Sequence, residues 1–311
     1  MTSHRVLVTG GAGFVGSGVV ERLVRSGVPV RALAHEADVP GAEVVRGDLT
    51  RPESLRGLCE GVDTVLHLAA RISGTEEQCR AVNVEGTRAL LAEAVRSGVR
   101  RTVQLGTAAV YQEGAHRGAR EGELAEEPES VTSVTRLAGE RLVLAAGGTV
   151  LRPHLVYGRG DRWVVPSLVR LLERVPYWVN GGRARTSMVS VDALAGALAE
   201  LAVRHNVGGA GQVLHAGHPE PVSVRELVET VVRELGLTAL PTDDVDMAGA
   251  LELLGGRGDP VLRRRVSFLA VDHWYDSQRL WNQLTASPGP GFSVEFGRYS
   301  AWYREYQGQQ G

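Results

Sequence analysis

From its first residues the chain alternates short apolar runs with stretches of helical period. Val6-Leu7-Val8 reads as a strand, Val15 to Arg25 as a helix, Val28 to Leu33 as a second strand and Val44-Val45 as a third. This is the βαβ rhythm of a parallel sheet. In the first helix Val15, Val19 and Leu23 recur every four residues as one buried stripe, and Gly27 stands where a left-handed cap would close it. Thr50-Arg51-Pro52-Glu53 has the form of a capping box and predicts a helix through Leu58. Asp63 to Ala70 predicts a buried strand running into a turn of small residues, Asn83 to Ser97 a long helix ended by Gly98, and Thr102 to Leu105 another strand.

A helix around 136–146 and a strand over Thr149 to Arg152 follow, after which the alternation loses its regularity and a boundary falls near residue 153. Ser223-Val224-Arg225-Glu226 is a second capping box, opening an apolar-striped helix to Leu235. Met247 to Pro260 is glycine-rich and specifies no clear element, and Gln307 to Gly311 is expected to be a disordered tail. Trp274, Tyr275, Trp281, Tyr299, Trp302, Tyr303 and Tyr306 crowd the last forty or so positions and are expected to dock the C-terminal helix.

Composition narrows the function classes. Apolar residues make up 43% and charged residues 23% of the 311 positions, the usage of an ordinary globular protein rather than a disordered or membrane one. A net charge of -2 supplies no basic field for nucleic acid. The run Arg263-Arg264-Arg265 reads as a solvated loop or helix face, and neither it nor the adjacent Arg257-Gly258-Asp259 is given a function. Cys59 and Cys79 form no CxxC pair and have no His cluster, so no disulfide framework or metal site is expected. With no signal-like N-terminus and no apolar run of about 18 residues, the expected compartment is the cytoplasm, without membrane association.

The chemistry begins at Gly10-Gly11-Ala12-Gly13-Phe14-Val15-Gly16, between the first strand and first helix. Glycines at 10, 13 and 16 let backbone amides approach a pyrophosphate at the positive end of a helix. The fold expected is therefore α/β: a Rossmann-type doubly wound parallel sheet over residues 1–153. Residues 154–306 are expected to form mainly a smaller α/β substrate lobe, with some segments returning to the sheet. NAD and NADP remain open. The second strand ends Arg31-Ala32-Leu33-Ala34-His35 without the carboxylate that would bind a ribose 2′-hydroxyl. His35 and Arg31 could instead favour a 2′-phosphate, or both could simply be exposed.

With Gly47-Asp48-Leu49, His67-Leu68-Ala69-Ala70, Asn83-Val84-Glu85-Gly86-Thr87, Leu151 to Gly158 and Arg185 to Asp192 added, the chain resembles an extended short-chain dehydrogenase/reductase. That superfamily includes nucleotide-sugar epimerases, dehydratases and 3β-hydroxysteroid dehydrogenases. The resemblance implies that Phe14 and Val15 help hold the dinucleotide, that Asp48 and Leu49 contact the adenine, and that Leu68, Ala69 and Ala70 line the cofactor channel. It further implies that Asn83 organises the proton-relay region and that Pro153 lies beside the nicotinamide. Asp48 could also be a turn former and Asn83 a helix cap.

Relatives use a Ser or Thr, a Tyr, and a Lys four residues after the Tyr, the Lys lowering the phenol pKa. Thr107, four residues before Tyr111, matches the Ser/Thr. Counting back from Ala138-Gly139-Glu140 places Thr132 at the Tyr and Arg136 at the Lys. An aliphatic hydroxyl is a far weaker acid than a phenol, and arginine does not release a proton in a protein, so the usual relay is not inherited. Arg136 could hold the ribose or stabilise an oxyanion, with Thr107 donating a hydrogen bond. His154 is the first alternative acid, with positioning as its plainer role. Tyr111 and Tyr157 are read as core.

Relatives acting on sugar nucleotides commonly carry Asn where Leu155 stands, which counts against such a substrate. The run from Arg152 through Val164-Val165-Pro166 is similar to members that accept apolar substrates, and Trp163, Tyr177 and Trp178 could wall a pocket. The leading expectation is an NAD(P)-dependent oxidoreductase of a ketone or secondary alcohol in a small molecule, such as a secondary metabolite. A redox-neutral epimerase, dehydratase or cyclase retaining NAD(P), and a catalytically silent NAD(P)-sensing protein, stay open, as does a homodimer.

Overall fold

The computed structural model describes residues 4–204, 211–237, 240–256 and 259–309. The N-terminal part runs β1 (Val6–Thr9), α1 (Phe14–Arg25), β2 (Val30–Ala34), β3 (Glu43–Arg46), β4 (Thr64–His67), α2 (Glu76–Arg80), α3 (Thr87–Arg96) and β5 (Arg101–Leu105). β6 (His116–Ala119), α4 (Val131–Ala145), β7 (Thr149–Arg152) and β8 (Leu155–Tyr157) follow. Next come α5 (Val164–Arg174), β9 (Trp178–Val179), β10 (Arg185–Thr186), β11 (Met188–Ser190), α6 (Val191–Val203) and β12 (Gln212–His215). The C-terminal part comprises β13 (Val222–Ser223), α7 (Val224–Leu235), β14 (Asp244–Val245), α8 (Met247–Leu253), α9 (Pro260–Ala270) and β15 (His273–Tyr275). It ends in the short helices α10 (Gln278–Trp281) and α11 (Phe292–Glu295) and in α12 (Ser300–Gly308).

Seven parallel strands form the main sheet in the order β12-β7-β5-β4-β1-β2-β3. The chain winds outward from β1 in one direction and then from β4 in the other. A crevice therefore opens at the carboxyl ends of β1 and β4, where α/β sheets take their ligands. Val19 and Val20 of α1 and Leu194 and Leu198 of α6 meet in the core on one face of the sheet. Truncating one such leucine to alanine costs about 2–5 kcal/mol.

Strand pairing crosses residue 153 in both directions. β12 returns to the main sheet, whereas β6, from the first half of the chain, enters a second sheet ordered β13-β10-β15-β6. His116 of β6 is thereby set in register with His273 of β15. A second core, including Val231 of α7, Phe296 and the fully buried Tyr303, supports this smaller lobe.

Several local expectations need correction. Thr50 caps nothing: Pro52–Leu55 is a single 3-10 turn, organised by Asp48 Oδ1 accepting the Thr50 N–H at 2.8 Å and by Ser54 Oγ accepting the Asp48 N–H. The helix expected from Asn83 begins at Glu76, where Thr75 and Gln78 form a reciprocal capping box, and passes through a π-turn at Ala81–Gly86. Met247–Leu253 is helical because Asp246 accepts the Gly249 N–H at its start. α12 continues through Gly308, so Gln307 and Gly308 belong to a helix rather than a disordered tail. Tyr303 anchors that helix, donating to Asp161 Oδ2 at 2.9 Å and accepting from the Gly158 N–H at 2.8 Å. Residues 310–311, and Arg257 and Gly258 of the tripeptide, lie outside the described residues.

Candidate active site

The cofactor side is built from absent side chains. Gly10 has φ +72°, and a Cβ on it would lie 2.7 Å from the Ala69 nitrogen, so the β1 and β4 turns touch at the switch point. A Cβ on Gly16 would stand 2.0 Å from the Gly10 carbonyl oxygen. Gly13 caps α1 without a side-chain bond, leaving the first-turn amides of a 12-residue helix available to an anion. Beneath the turns, the fully buried His67 joins Thr9 Oγ1 (2.8 Å) to Thr87 Oγ1 (2.9 Å), and burial lowers its pKa to about 4. These residues fit a pyrophosphate: backbone cradle, helix terminus and contact-forbidding glycines coincide.

Other expected cofactor residues divide. Leu68 and Ala69 are half-buried and Ala70 exposed along the crevice, while Val15, Leu49 and Pro153 are buried, Leu49 among Leu7, Leu33 and Leu55. Pro153 contributes its carbonyl, which accepts the Ala108 N–H beside Thr107. Arg31 cannot read a 2′-phosphate. It is buried, donating to the carbonyls of Leu58 and Glu60 at 2.9 Å and pairing with Glu43. His35 is exposed, with Nε2 4.0 Å from Asp48 Oδ2. The Thr50 N–H lowers the Asp48 pKa against the opposing effect of burial.

A cleft of about 500 Å³ brings Phe14 at the head of α1 together with Thr107, Thr132, Arg136 and His154. Thr107 follows β5 and caps a 3-10 turn, its Oγ1 accepting the Ala109 N–H at 3.2 Å while its own O–H stays free to donate. Arg136, one turn after Thr132 on α4, sends Nη2 to the carbonyls of Gly106 (2.7 Å) and Leu105 (3.2 Å). Burial lowers its pKa and Glu140 opposes this; guanidinium remains charged. Thr132 donates to the Ile72 carbonyl at 3.4 Å. Glu140 accepts the Thr107 N–H at 3.1 Å and the Arg152 Nε–H at 2.8 Å in a buried pair, and its Oε1 would stand 2.3 Å from a Cβ on Gly106.

Asn83 does not line the cleft. It is buried in the π-turn, accepting the Arg71 N–H at 2.8 Å and donating to the Arg71 carbonyl and to Thr135 Oγ1, so it ties the loop after β4 to α4.

The far wall of the cleft comes from the smaller lobe and was not visible as a motif. His116 Nδ1 bonds the Tyr275 hydroxyl at 2.9 Å, and His273 Nε2 lies 3.1 Å from Ser267 Oγ. His154 packs against His273 in a tilted and Tyr275 in an edge-on arrangement, with ring centroids 5.7 and 5.5 Å away. Burial, reinforced by neighbouring imidazoles, lowers the pKa of His154 to about 3 and of His273 to about 4. Burial likewise lowers that of His116 and raises that of Tyr275. The Nε2 atoms of His116 and His154 are buried without partners. Tyr111 is core as expected, packed with Val110, Leu137 and Tyr275, and it also borders the cleft; its hydroxyl joins His215 Nε2 (2.6 Å) and Arg152 Nη1 (3.1 Å). Only β6–β15 register brings His116 and Tyr275 together, and no local spacing announces it.

Of the aromatic residues expected to wall a pocket, Trp163 does so, 61% exposed at the cleft. Trp178 is buried under the Arg225 guanidinium at 4.1 Å. Tyr157 is core, packed on Phe292 and Tyr299. Arg264, from the run given no function, reaches the cleft edge and pairs with Glu113 and Glu129. Among the described residues no helix is long and apolar enough to cross a membrane.

Known proteins resemble the chain closely enough to place it. The model of the NAD dependent epimerase/dehydratase family matches residues 6–217. A 2-alkyl-3-oxoalkanoate reductase of Stenotrophomonas maltophilia is 31% identical over 88% of this chain and 92% of its own length. A 4-hydroxy-2-methyl-3-oxo-4-farnesyl-3,4-dihydroquinoline-1-oxide ketoreductase of Stigmatella aurantiaca is 30% identical over 76% of this chain and 74% of its own. In fold, a short-chain dehydrogenase/reductase superfamily protein of Agrobacterium tumefaciens, solved with bound NAD, superposes with a TM-score of 0.77 at 23% identity, each chain 99% covered. Glycine cradle, doubly wound sheet and named relatives define an NAD(P)-dependent oxidoreductase. More particularly, the chain belongs to the NAD dependent epimerase/dehydratase family.

Proposed function

We propose that the chain reduces a ketone to a secondary alcohol, or catalyses the reverse, in an apolar small molecule seated in the Phe14–Thr107–Arg136–His154 cleft. The observation carrying this reading is that one cleft joins the head of the dinucleotide helix to a hydroxyl donor and a fixed cation. The names of the two relatives support a ketone.

Gly10, Gly13 and Gly16 would cradle the pyrophosphate, Phe14 and Val15 would border it, and Leu68, Ala69 and Ala70 would flank the channel, with Asp48 and His35 near the adenosine. When bound, the dinucleotide supplies or accepts a hydride. The chain's own task is then to hold the oxygen that becomes negative. Thr107 donates its free O–H to that oxygen, and Arg136, held by the Gly106 and Leu105 carbonyls, stabilises it as a fixed charge. The neutral rings of His154 and His116 position the substrate. Being unprotonated at neutral pH, they leave protonation of the alkoxide to water in the open cleft. Thr132 borders the substrate without acting as the acid.

The test is NAD(P)H consumption at 340 nm with a 2-alkyl-3-oxoalkanoate, followed alongside product formation. One equivalent consumed per alcohol formed is expected. Conversion with no net change at 340 nm would replace this reading by a redox-neutral reaction.

A further inference from the structure

Behind the far wall of the cleft lies a second, apolar chamber of about 360 Å³, within the range of small-molecule sites. Trp163, Val164 and Phe268 border both spaces, so the chamber continues from the cleft rather than forming a separate surface hollow. Its walls are leucines from five sources: Leu155 of β8, Leu168 and Leu171 of α5, Leu227 of α7, Leu254 after α8, and Leu262 and Leu269 of α9. In its lining, buried Thr186 presents an Oγ1 with no hydrogen-bond partner. A buried hydroxyl without a partner calls for a ligand oxygen or water.

The chamber is also bordered by charge of one sign. Arg170 and Arg174, one turn apart on α5, and Arg265 of α9 line it and are exposed. Among the described residues Arg174 and Arg265 have no carboxylate partner. Their neighbour Arg264 serves the cleft edge instead. Three cations at the solvent end of a leucine-lined passage suit an anion there and exclude a terminal ammonium group.

Resting on the ketone reading of the cleft and deepening it, we propose that this chamber is the subsite for an aliphatic chain ending in an anionic group. The chain would run from the reacting carbonyl in the cleft, past Thr186, between the leucines of α5 and α9 to the arginines. Burying methylenes in such a space adds about 0.8 kcal/mol each, about fourfold in affinity per carbon.

The experiment is calorimetric titration of the whole protein with hexanoate, octanoate and decanoate below micelle-forming concentrations, and with decyltrimethylammonium as a cation of equal chain length. Affinity should rise about fourfold per methylene, and decanoate should bind at least tenfold more tightly than the cation. Leu171→Trp and, on the opposite wall, Leu262→Trp should each fill the chamber and weaken decanoate at least tenfold while leaving the dinucleotide Kd unchanged. Arg174→Gln with Arg265→Gln should remove the preference for the anion and keep the chain-length dependence. Equal affinities across the series, equal binding of anion and cation, or full decanoate affinity in both tryptophan variants would overturn the proposal. Binding needs no turnover, so loss of the ketone reading at 340 nm would leave these results intact. Ketone reduction without chain-length dependence would sink the subsite alone.

Discussion

Arg136 Nη2 lies 2.7 Å from the Gly106 carbonyl oxygen, so this cation grips the residue directly before Thr107. Two carbonyls spend one nitrogen of a fork that has two more, which can face the cleft. Charged hydrogen bonds of this kind are worth about 1.5–3 kcal/mol. Arg136→Ala should therefore lower kcat/KM by roughly 10- to 100-fold, and Arg136→Lys, which lacks the planar fork, should recover only part of it. Steady-state kinetics with a saturating dinucleotide decides; an alanine variant at wild-type kcat/KM would remove Arg136 from the site.

Gly16→Ala should abolish dinucleotide binding. The added Cβ would stand 2.0 Å from the Gly10 carbonyl oxygen, and Gly10 already abuts the Ala69 backbone, so the cradle must open. Binding followed by quenching of intrinsic fluorescence, with thermal melting to confirm folding, is the check. A folded variant with unchanged Kd would contradict the pyrophosphate assignment.

Asn83→Leu should destabilise the fold by about 1–3 kcal/mol, because both polar groups of Arg71 lose their buried partner. Chemical denaturation measures it. The loss should appear in apo and dinucleotide-bound protein alike, since Asn83 clamps a loop and does not face the cleft.

Acid should weaken the fold in a histidine window. Burial depresses the pKa of His67 and His273 to about 4 and of His154 to about 3 from an ordinary 6.5. The unfolded chain then takes up protons more readily, so their stabilisation is intact above pH ~6.5. It is lost as pH falls toward the folded values. Tm should decline steadily between pH 6.5 and 4, less so in His67→Gln; a flat Tm over that range would contradict neutral burial of these rings.

What the sequence disclosed followed the range of the forces involved. The Gly10–Gly16 turn, the Val15–Val19–Leu23 stripe and the β1–β5 alternation are local, and local pattern specifies them. Thr107, Thr132, Arg136 and His154 could be proposed from sequence because each lies at a short, countable spacing from a segment that resembles the family's. His116 and Tyr275 were not, because they converge only when β6 leaves the first half of the chain to pair with β15. Arg31 shows the opposite error: its position at β2 suggested a phosphate ligand, yet Glu43 and two carbonyls bind it underneath the sheet. The box at Thr50 failed for a similar reason, as Asp48 and Ser54 offered the backbone a tighter local alternative.

Thr107 and Arg136 are the two groups proposed to hold the reacting oxygen. Thr107→Val keeps the shape of the side chain and removes its O–H, so single-turnover reduction of a 2-alkyl-3-oxoalkanoate by prebound NAD(P)H tests this role most directly. The expected result is a rate about 10²–10³-fold lower, the usual cost of one oxyanion donor, with dinucleotide Kd unchanged. A single-turnover rate equal to that of the unaltered protein would contradict the account.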